Sequence, residues 1–253
     1  MTVYFVGSGP GDPELLTRKA LRILQSAKIC IHAGSLVDPE ILKELPDNCK
    51  LYDSAGMNLD EIIDIMVNAY NQGTDVVRLH SGEPSLYGAI GEQMRRLDLL
   101  NISYQVIPGI SSFQAAAASI CLELTCPEVA QTVVLTRSPG RTPMPGEELW
   151  LDQFHPYATY CIFLSVDKLA SLAGSIAQKM GDSCPCAVVF HASRPDQKIL
   201  RGTLKTIGQQ VHQAGISSTA QIIIGYALNA TPVSAESKLY NRNFNHGFRE
   251  SKQ

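Results

Sequence analysis

Asp75-Val76-Val77-Arg78-Leu79-His80-Ser81-Gly82-Glu83-Pro84-Ser85-Leu86-Tyr87-Gly88 begins as an apolar, β-branched run and ends as a loop of glycine, proline and serine. Asp75–Leu79 reads as a strand, and the apolar positions of Ile90–Leu100 recur at helical spacing, so a helix follows the loop. Glycine at position 82 opens backbone conformations closed to other residues, and Pro84 withholds a donor, which is why the chain breaks there. Strand, short loop, helix is the repeating unit of sheets whose strands run parallel.

The same unit recurs on both sides of this stretch. Towards the N-terminus, Val3–Val6 reads as a strand, and Leu15, Leu16, Ala20, Leu21 and Leu24 form a helical stripe. Lys28–His32 is a second strand, Pro39–Leu45 a short helix, Lys50–Asp53 a third strand, and Leu59, Ile62, Ile63, Met66 and Tyr70 a further stripe. Towards the C-terminus, Ser103–Ile107 is a strand that ends at Pro108-Gly109, before an Ala-rich, buried helix over Phe113–Ile120. Glu123–Gln131 then carries Pro127 and little periodicity, and the pattern restarts beyond it. Strands are expected at Thr132–Leu135, Tyr160–Leu164, Ala187–Phe190, Lys198–Leu200 and Gln221–Gly225, with helices at Lys168–Met180 and Leu204–Gln213. The reading is an α/β protein of two small domains with mixed, largely parallel sheets: an N-terminal domain at 1–122 and a C-terminal domain at 131–228. The tail at 229–253 is polar, yet Leu239, Tyr240, Phe244 and Phe248 point to a segment that docks on the body.

Composition removes several function classes. A hydrophobic fraction of 45% with 18% charge and mean hydropathy near zero fits a folded, soluble chain and not a disordered one. A net charge of −3 lacks the basic excess of a nucleic-acid surface. No basic leader or small-residue cleavage site follows Met1, and no apolar run approaches the ~18 residues of a membrane span, so no membrane partner is expected. The seven cysteines are scattered, and Cys184-Pro185-Cys186 lacks the two-residue spacer of redox and zinc motifs. Reduced thiols in a cytoplasmic protein are the plain reading. The six histidines show no ligand spacing, so no protein-bound metal is expected.

Three glycine-rich loops carry the functional signal. Gly7-Ser8-Gly9-Pro10-Gly11-Asp12-Pro13 joins a strand to a helix, with Asp12 placed to cap that helix and Pro13 at its first position. A dinucleotide fingerprint needs its third glycine at the sixth position; here Asp12 stands there. The ribose-binding acid expected ~20 residues on is replaced by His32-Ala33-Gly34, which disfavours a nicotinamide dehydrogenase. The second loop, His80–Gly88, offers Ser81, Glu83 and Ser85 at a strand's carboxyl end. The third, Pro108-Gly109-Ile110-Ser111-Ser112, presents hydroxyls at the start of a helix, where each is either a plain cap or a ligand contact. Any one of these loops reads equally as a tight turn. Together, at the strand ends of one domain, they favour a small-molecule site.

In this order, Gly7–Thr17, Ser81-Gly82-Glu83-Pro84 and Pro108–Ser112 resemble the tetrapyrrole methylase family, and the likeness runs over about residues 2–228. His32–Val37, Thr136–Pro145, Ser237–Tyr240 and His246–Arg249 are similar to the members that methylate ring carbon C-11 of precorrin-4 or cobalt-precorrin-4. The resemblance implies two α/β domains with a cleft between them, a homodimer, and S-adenosyl-L-methionine as cofactor. It implies cofactor contacts at Pro10, Ser81, Gly82, Glu83, Ser111, Ser112, Leu164 and Ala192. The family usually carries aspartate where this chain has Glu83; the charge is kept, and the extra methylene adds about 1.5 Å of reach.

The implied chemistry asks little of nucleophilic side chains. A sulfonium methyl is already electrophilic and the ring carbon already electron-rich, so position and orientation carry the gain, and the sequence holds no nucleophile–base constellation. His32, at a strand end, is the candidate proton acceptor, or else a polar loop residue. The macrocycle's acetate and propionate arms suit arginine forks. Arg137 and Arg141, in one Pro/Gly-rich loop, lead the candidates, followed by Arg194 and Arg249; each is alternatively a solvated surface charge. Arg78, inside a strand, reads as structural, Arg95-Arg96 as a wet helix face, and Glu147-Glu148 as a helix start. Two alternatives stay open: a family member acting at another ring position, and a cofactor-binding module without turnover.

Overall fold

The structure is a computed structural model that describes residues 1–140, 142–230, 244, 245 and 247, with Ser35 described in its backbone only. The chain divides into two compact units. One holds Met1–Ala115 together with His191–Asp196, and the other holds Ala116–Phe190 and the described residues from Gln197 onward.

In the first unit β1 (Val3–Gly7), β2 (Ile29–His32), β3 (Lys50–Asp53), β4 (Val76–His80) and β5 (Tyr104–Ile107) form one sheet. Their order is β3-β2-β4-β1-β5, and every pairing is parallel. β4 sits at the centre and is buried at all five positions, Arg78 and His80 included, as befits a strand covered on both faces. α1 (Arg18–Gln25) and α2 (Pro39–Leu42) cover one face, where Ala20, Leu24 and Ile41 pack on Val6, Cys30, Val77 and Leu79. α3 (Leu59–Asn71) and α4 (Ile90–Leu99) cover the other, where Ile62, Ile63, Met66 and Leu97 meet Val3, Phe5, Ile31 and Val76.

Local chemistry sets the helix starts. Thr17 accepts from the Ala20 N–H, and Asn58 and Glu61 form a reciprocal capping box at α3. The helix expected to reach Leu45 ends at Leu42, because the following N–H groups turn back three residues to Glu40 and Ile41 ahead of Pro46.

The connections place a switch point. From β1 the chain crosses to β2 on one side, and from β4 it crosses to β5 on the other, while β1 and β4 are neighbours. Departures in opposite directions open a crevice outside the carboxyl ends of that pair, where α/β sheets bind ligands. α5 (Ser112–Ser119) begins just beyond β5.

The second unit also carries five strands: β6 (Thr132–Arg137), β7 (Ala158–Phe163), β8 (Pro185–Phe190), β9 (Lys198–Thr203) and β10 (Ala220–Ile224), in the order β6-β7-β10-β8-β9. Only β6–β7 pair in parallel; β7–β10, β10–β8 and β8–β9 are antiparallel. β9 runs three residues further than expected, to Thr203, because it pairs with β8 along its whole length. α6 (Leu169–Met180) and α7 (Ile207–Gln213) contribute Leu169, Ala173, Ile176, Ile207 and Val211 to the core. The acidic pair Glu147-Glu148 starts a 3₁₀ segment over Glu147–Gln153. That segment is pinned by Trp150, whose ring meets Phe154 edge-on with centroids 4.9 Å apart, and by the Tyr160 hydroxyl, which donates to the Gln153 carbonyl at 2.6 Å. Of the aromatics expected to dock the tail, Phe244 is described and 39% exposed; Leu239, Tyr240 and Phe248 lie outside the described residues.

Candidate functional site

The three glycine-rich loops meet. Gly9 and Gly82 exchange backbone hydrogen bonds, 3.2 Å from the Gly9 N–H to the Gly82 carbonyl and 2.8 Å in return, so the loops after β1 and β4 form a miniature antiparallel bridge. Both glycines sit at positive φ, +70° and +63°, a region costly for residues with a β-carbon. The third loop packs against the same spot. A β-carbon on Gly7 would lie 2.6 Å from the Gly82 carbonyl oxygen and 2.7 Å from Gly109 Cα. One on Gly109 would strike that same oxygen and lie 2.9 Å from Gly7 Cα. Bare backbone is therefore required where the three loops cross at the switch point. On Gly82 a β-carbon would face Ser111 Cα at 3.7 Å and the Ser112 nitrogen at 3.8 Å, so the second loop packs on the start of α5. Ser111 is buried and starts α5: its N–H donates to the Gln114 side chain, and its carbonyl accepts from the Gln114 and Ala115 N–H groups.

Glu83 joins two of the loops. Its Oε1 accepts from the Ser85 N–H at 2.9 Å and the Ser85 hydroxyl at 2.7 Å, while Oε2 accepts from the Gly109 N–H at 2.8 Å. Burial pushes the carboxyl pKa upward, but the hydrogen bonds from Ser85 and Gly109 outweigh it and hold the group below the ordinary glutamate value.

Residues 191–196 complete the first unit. The Ser193 hydroxyl accepts from the Asp12 N–H at 3.1 Å. Arg194 pairs with Asp38 at 3.2 Å, donates to the Leu36 carbonyl at 3.2 Å, and lies over Gly11, where a β-carbon would fall 2.5 Å from Arg194 Cγ. Gly11 (φ +147°) gives this arginine room. Ala192 is buried between His191 and Ser193, both in left-handed backbone, and His191 Nδ1 lies 2.8 Å from Asp196. Arg194 thus serves the first glycine loop, a role that nothing in its local sequence marks.

Two histidines end neighbouring strands. His32 is buried at the end of β2, with its Nδ1 unpartnered among the described residues. His80, which sequence reasoning passed over, is buried at the end of β4, and its Nε2 is likewise unpartnered. Burial, reinforced by the Arg78 charge, drives the His80 pKa down to about 3, so the ring is neutral. Arg78 is buried as well, donating to Gln93 and to the Ile31 carbonyl.

In the second unit β6, β7 and β8 run the same way, so their carboxyl ends share one sheet edge. Leu164 follows β7 at φ +53° and is 69% exposed, an unusual pairing for a branched residue. Ser165 holds it there. The buried hydroxyl donates to the Phe163 carbonyl at 2.6 Å and accepts from the Ser138 N–H at 2.9 Å. Arg137 curls over its own loop, donating to the carbonyls of Ser138, Thr142 and Pro143. Arg141 and Arg249 lie outside the described residues.

Nucleophilic thiol chemistry finds little support. Burial lifts the Cys30 and Cys161 thiols to about 12 and Cys184 to about 11, which keeps them protonated at neutral pH. Among the described residues no group of three or more His, Cys, Asp or Glu is placed to hold a metal ion, and no helix is long and apolar enough to cross a membrane.

Known proteins resemble this chain in sequence and fold. The family model of tetrapyrrole (corrin/porphyrin) methylases matches residues 2–208. A cobalt-precorrin-4 C(11)-methyltransferase of Methanocaldococcus jannaschii is 49% identical over 98% of this chain and 96% of its own. A precorrin-4 C(11)-methyltransferase of Pseudomonas aeruginosa is 43% identical over 98% and 99%. Among solved structures, a cobalt precorrin-4 methyltransferase superposes with a TM-score of 0.84 at 35% identity, covering 90% of this chain and 96% of that one. A uroporphyrin-III C-methyltransferase of Thermus thermophilus, complexed with S-adenyl homocysteine, gives 0.74 at 25% identity over 90% and 99%. With the motif loops joined at the switch point of a matching fold, this chain belongs to the tetrapyrrole (corrin/porphyrin) methylases.

Proposed function

We propose that this protein transfers a methyl group from S-adenosyl-L-methionine to ring carbon C-11 of precorrin-4 or cobalt-precorrin-4, an enzymatic step in cobalamin biosynthesis. The observation that carries the reading is the crossing of Gly7, Gly82 and Gly109 at the switch point, in a chain whose relatives with this activity align over nearly its whole length. We further read it as a cytoplasmic homodimer, on the resemblance of its loops and the reduced state of its thiols.

The cradle fits such a cofactor. Bare backbone at Gly9 and Gly82, with Pro10 and Ser81 next to it in the chain and Ser111 and Ser112 packed against Gly82, is the shell we assign to the cofactor. Ala192, held in place through Ser193 and Asp12, belongs with this shell in our assignment. When bound, the cofactor supplies an electrophilic methyl on sulfur. The chain's own work is to hold it still and exclude water, which converts binding into orientation. No side chain has to attack, in keeping with thiols that burial holds protonated. Leu164 is retained as a proposed cofactor contact. His32 is retained as the proposed proton acceptor, its buried Nδ1 being unpartnered among the described residues.

For the anionic arms of the macrocycle we keep Arg137, Arg141, Arg194 and Arg249. The geometry gives Arg137 and Arg194 a second duty, since both already grip protein carbonyls or Asp38. The decisive experiment offers the protein labelled S-adenosylmethionine and a panel of ring precursors. Transfer to C-11 of a precorrin-4-type ring is expected. Transfer to an earlier intermediate alone, or cofactor binding with no transfer to any precursor, overturns the proposal.

A further inference from the structure

We infer that Glu83 is a positioning residue: its carboxylate braces the second glycine loop against the third and sets the cradle's shape, without being spent on the cofactor. The inference deepens the proposed function, and its ligand-based half rests on that reading. Three donors converge on this one side chain, two from Ser85 on Oε1 and the Gly109 N–H on Oε2. Each oxygen therefore serves a different loop. The first and second loops are already tied by the backbone exchange between Gly9 and Gly82. Gly109, the anchor of the third loop, touches both Gly7 and Gly82 so closely that no β-carbon fits. A carboxylate accepting from the Gly109 N–H fixes the spot where backbone contact is tightest.

Geometry also explains the length of the side chain. Oε1 closes a local turn onto Ser85, two residues on, while Oε2 crosses 26 positions to Gly109. One methylene fewer shortens the reach by about 1.5 Å. With the backbone fixed, an aspartate here keeps the Ser85 turn and stretches the bond to Gly109 beyond hydrogen-bond range. Charge matters as much as reach, because hydrogen bonds to an ionised acceptor are the stronger kind. An amide presents an N–H₂ to one of these donors and leaves it without an acceptor.

Two measurements on Glu83→Gln and Glu83→Asp test this. The first is amide hydrogen exchange in the ligand-free protein, which does not depend on any ligand assignment. Gly109 and its neighbours at 110–112 should exchange faster in both variants, while β4 amides keep their protection. The second is S-adenosylhomocysteine affinity by calorimetry, where Glu83→Gln should bind roughly tenfold to a hundredfold more weakly, the equivalent of one charged hydrogen bond. Ser85→Ala, which removes the hydroxyl and keeps both backbone donors, should lose less than about threefold. Unchanged exchange at Gly109 in Glu83→Gln, with weakened affinity, makes Glu83 a direct ligand contact and overturns the inference. Faster exchange at Gly109 with unchanged affinity overturns it too, since the brace then positions nothing. Wild-type protein that fails to bind S-adenosylhomocysteine sinks the cofactor assignment instead, and the exchange arm still decides the brace. If Glu83→Gln does not fold, Glu83→Asp carries both readings.

Discussion

The two sheets share strand number and differ in how they make a loop edge. In the first, every pairing is parallel, so each strand hands over to a crossover and all carboxyl-end loops emerge together. Gly7, Gly82 and Gly109 then bring three backbones into contact. In the second, three of the four pairings are antiparallel, and only β6, β7 and β8 end at the same edge. There side chains do the holding: Ser165 between two strand ends, Arg137 over its own loop, Trp150 on Phe154. A site made of backbone tolerates no added atom, whereas one made by side chains tolerates change wherever no partner is lost.

Substitutions that add one carbon should split the units most sharply. Gly109→Ala pushes a β-carbon into the Gly82 carbonyl and close to Gly7 Cα, neither of which can swing aside. We expect about 3 kcal/mol or more of lost stability by chemical denaturation, with loss of S-adenosylhomocysteine binding in what remains folded. A Gly109→Ala protein of wild-type stability and affinity would erase the contrast.

The pH response should fall on the first unit as well. The His80 pKa in the folded state, about 3, lies below the ordinary 6.5, so the unfolded chain binds the extra proton. Stability is therefore full above about pH 6.5 and declines as pH falls towards about 3, at a limiting slope of about 1.4 kcal/mol per pH unit. Between pH 6.5 and 4.5 the lowered carboxyl of Glu83 does not yet contribute, because its ordinary value lies at 4.5. Denaturation curves across that window should flatten in His80→Phe; an equal slope in the variant would remove this histidine from the account.

The smallest effect, and of opposite sign, belongs to the second unit. Gly174 lies exposed within α6, with nothing within 4 Å of an added β-carbon. Gly174→Ala should raise stability by roughly 0.5–1 kcal/mol by restricting the unfolded chain and favouring the helix. Destabilisation there would show that glycines in this half are as constrained as those at the switch point.

Much of the first unit was legible because its signals are local. The β-branched strand signal at Val76 and Val77, the Asp12 cap ahead of Pro13, and glycines at loop positions each act within a few residues. The second unit reads less completely. Its strands stand out as apolar runs, but pairing direction depends on which strand β10 inserts between, and no residue of Gln221–Ile224 encodes that. The pairing of Arg194 with Asp38 was not legible, because a lone arginine in a loop gives no hint of a partner more than a hundred and fifty positions away. His80 passed unnoticed because a histidine closing an apolar strand looks like any polar strand end.

The amino-acid order alone determined most of the elements and the glycine loops that carry the family resemblance, because turns, caps and amphipathic spacing are short-range consequences of side-chain shape. Folding in three dimensions decided the rest. The neighbouring of β1 and β4, the crossing of three loops on one carbonyl oxygen, and the commitment of Glu83 to Ser85 and Gly109 arise from contacts between distant segments. Such contacts are fixed by close packing and by the need to pair every buried polar group, and both are properties of the whole chain.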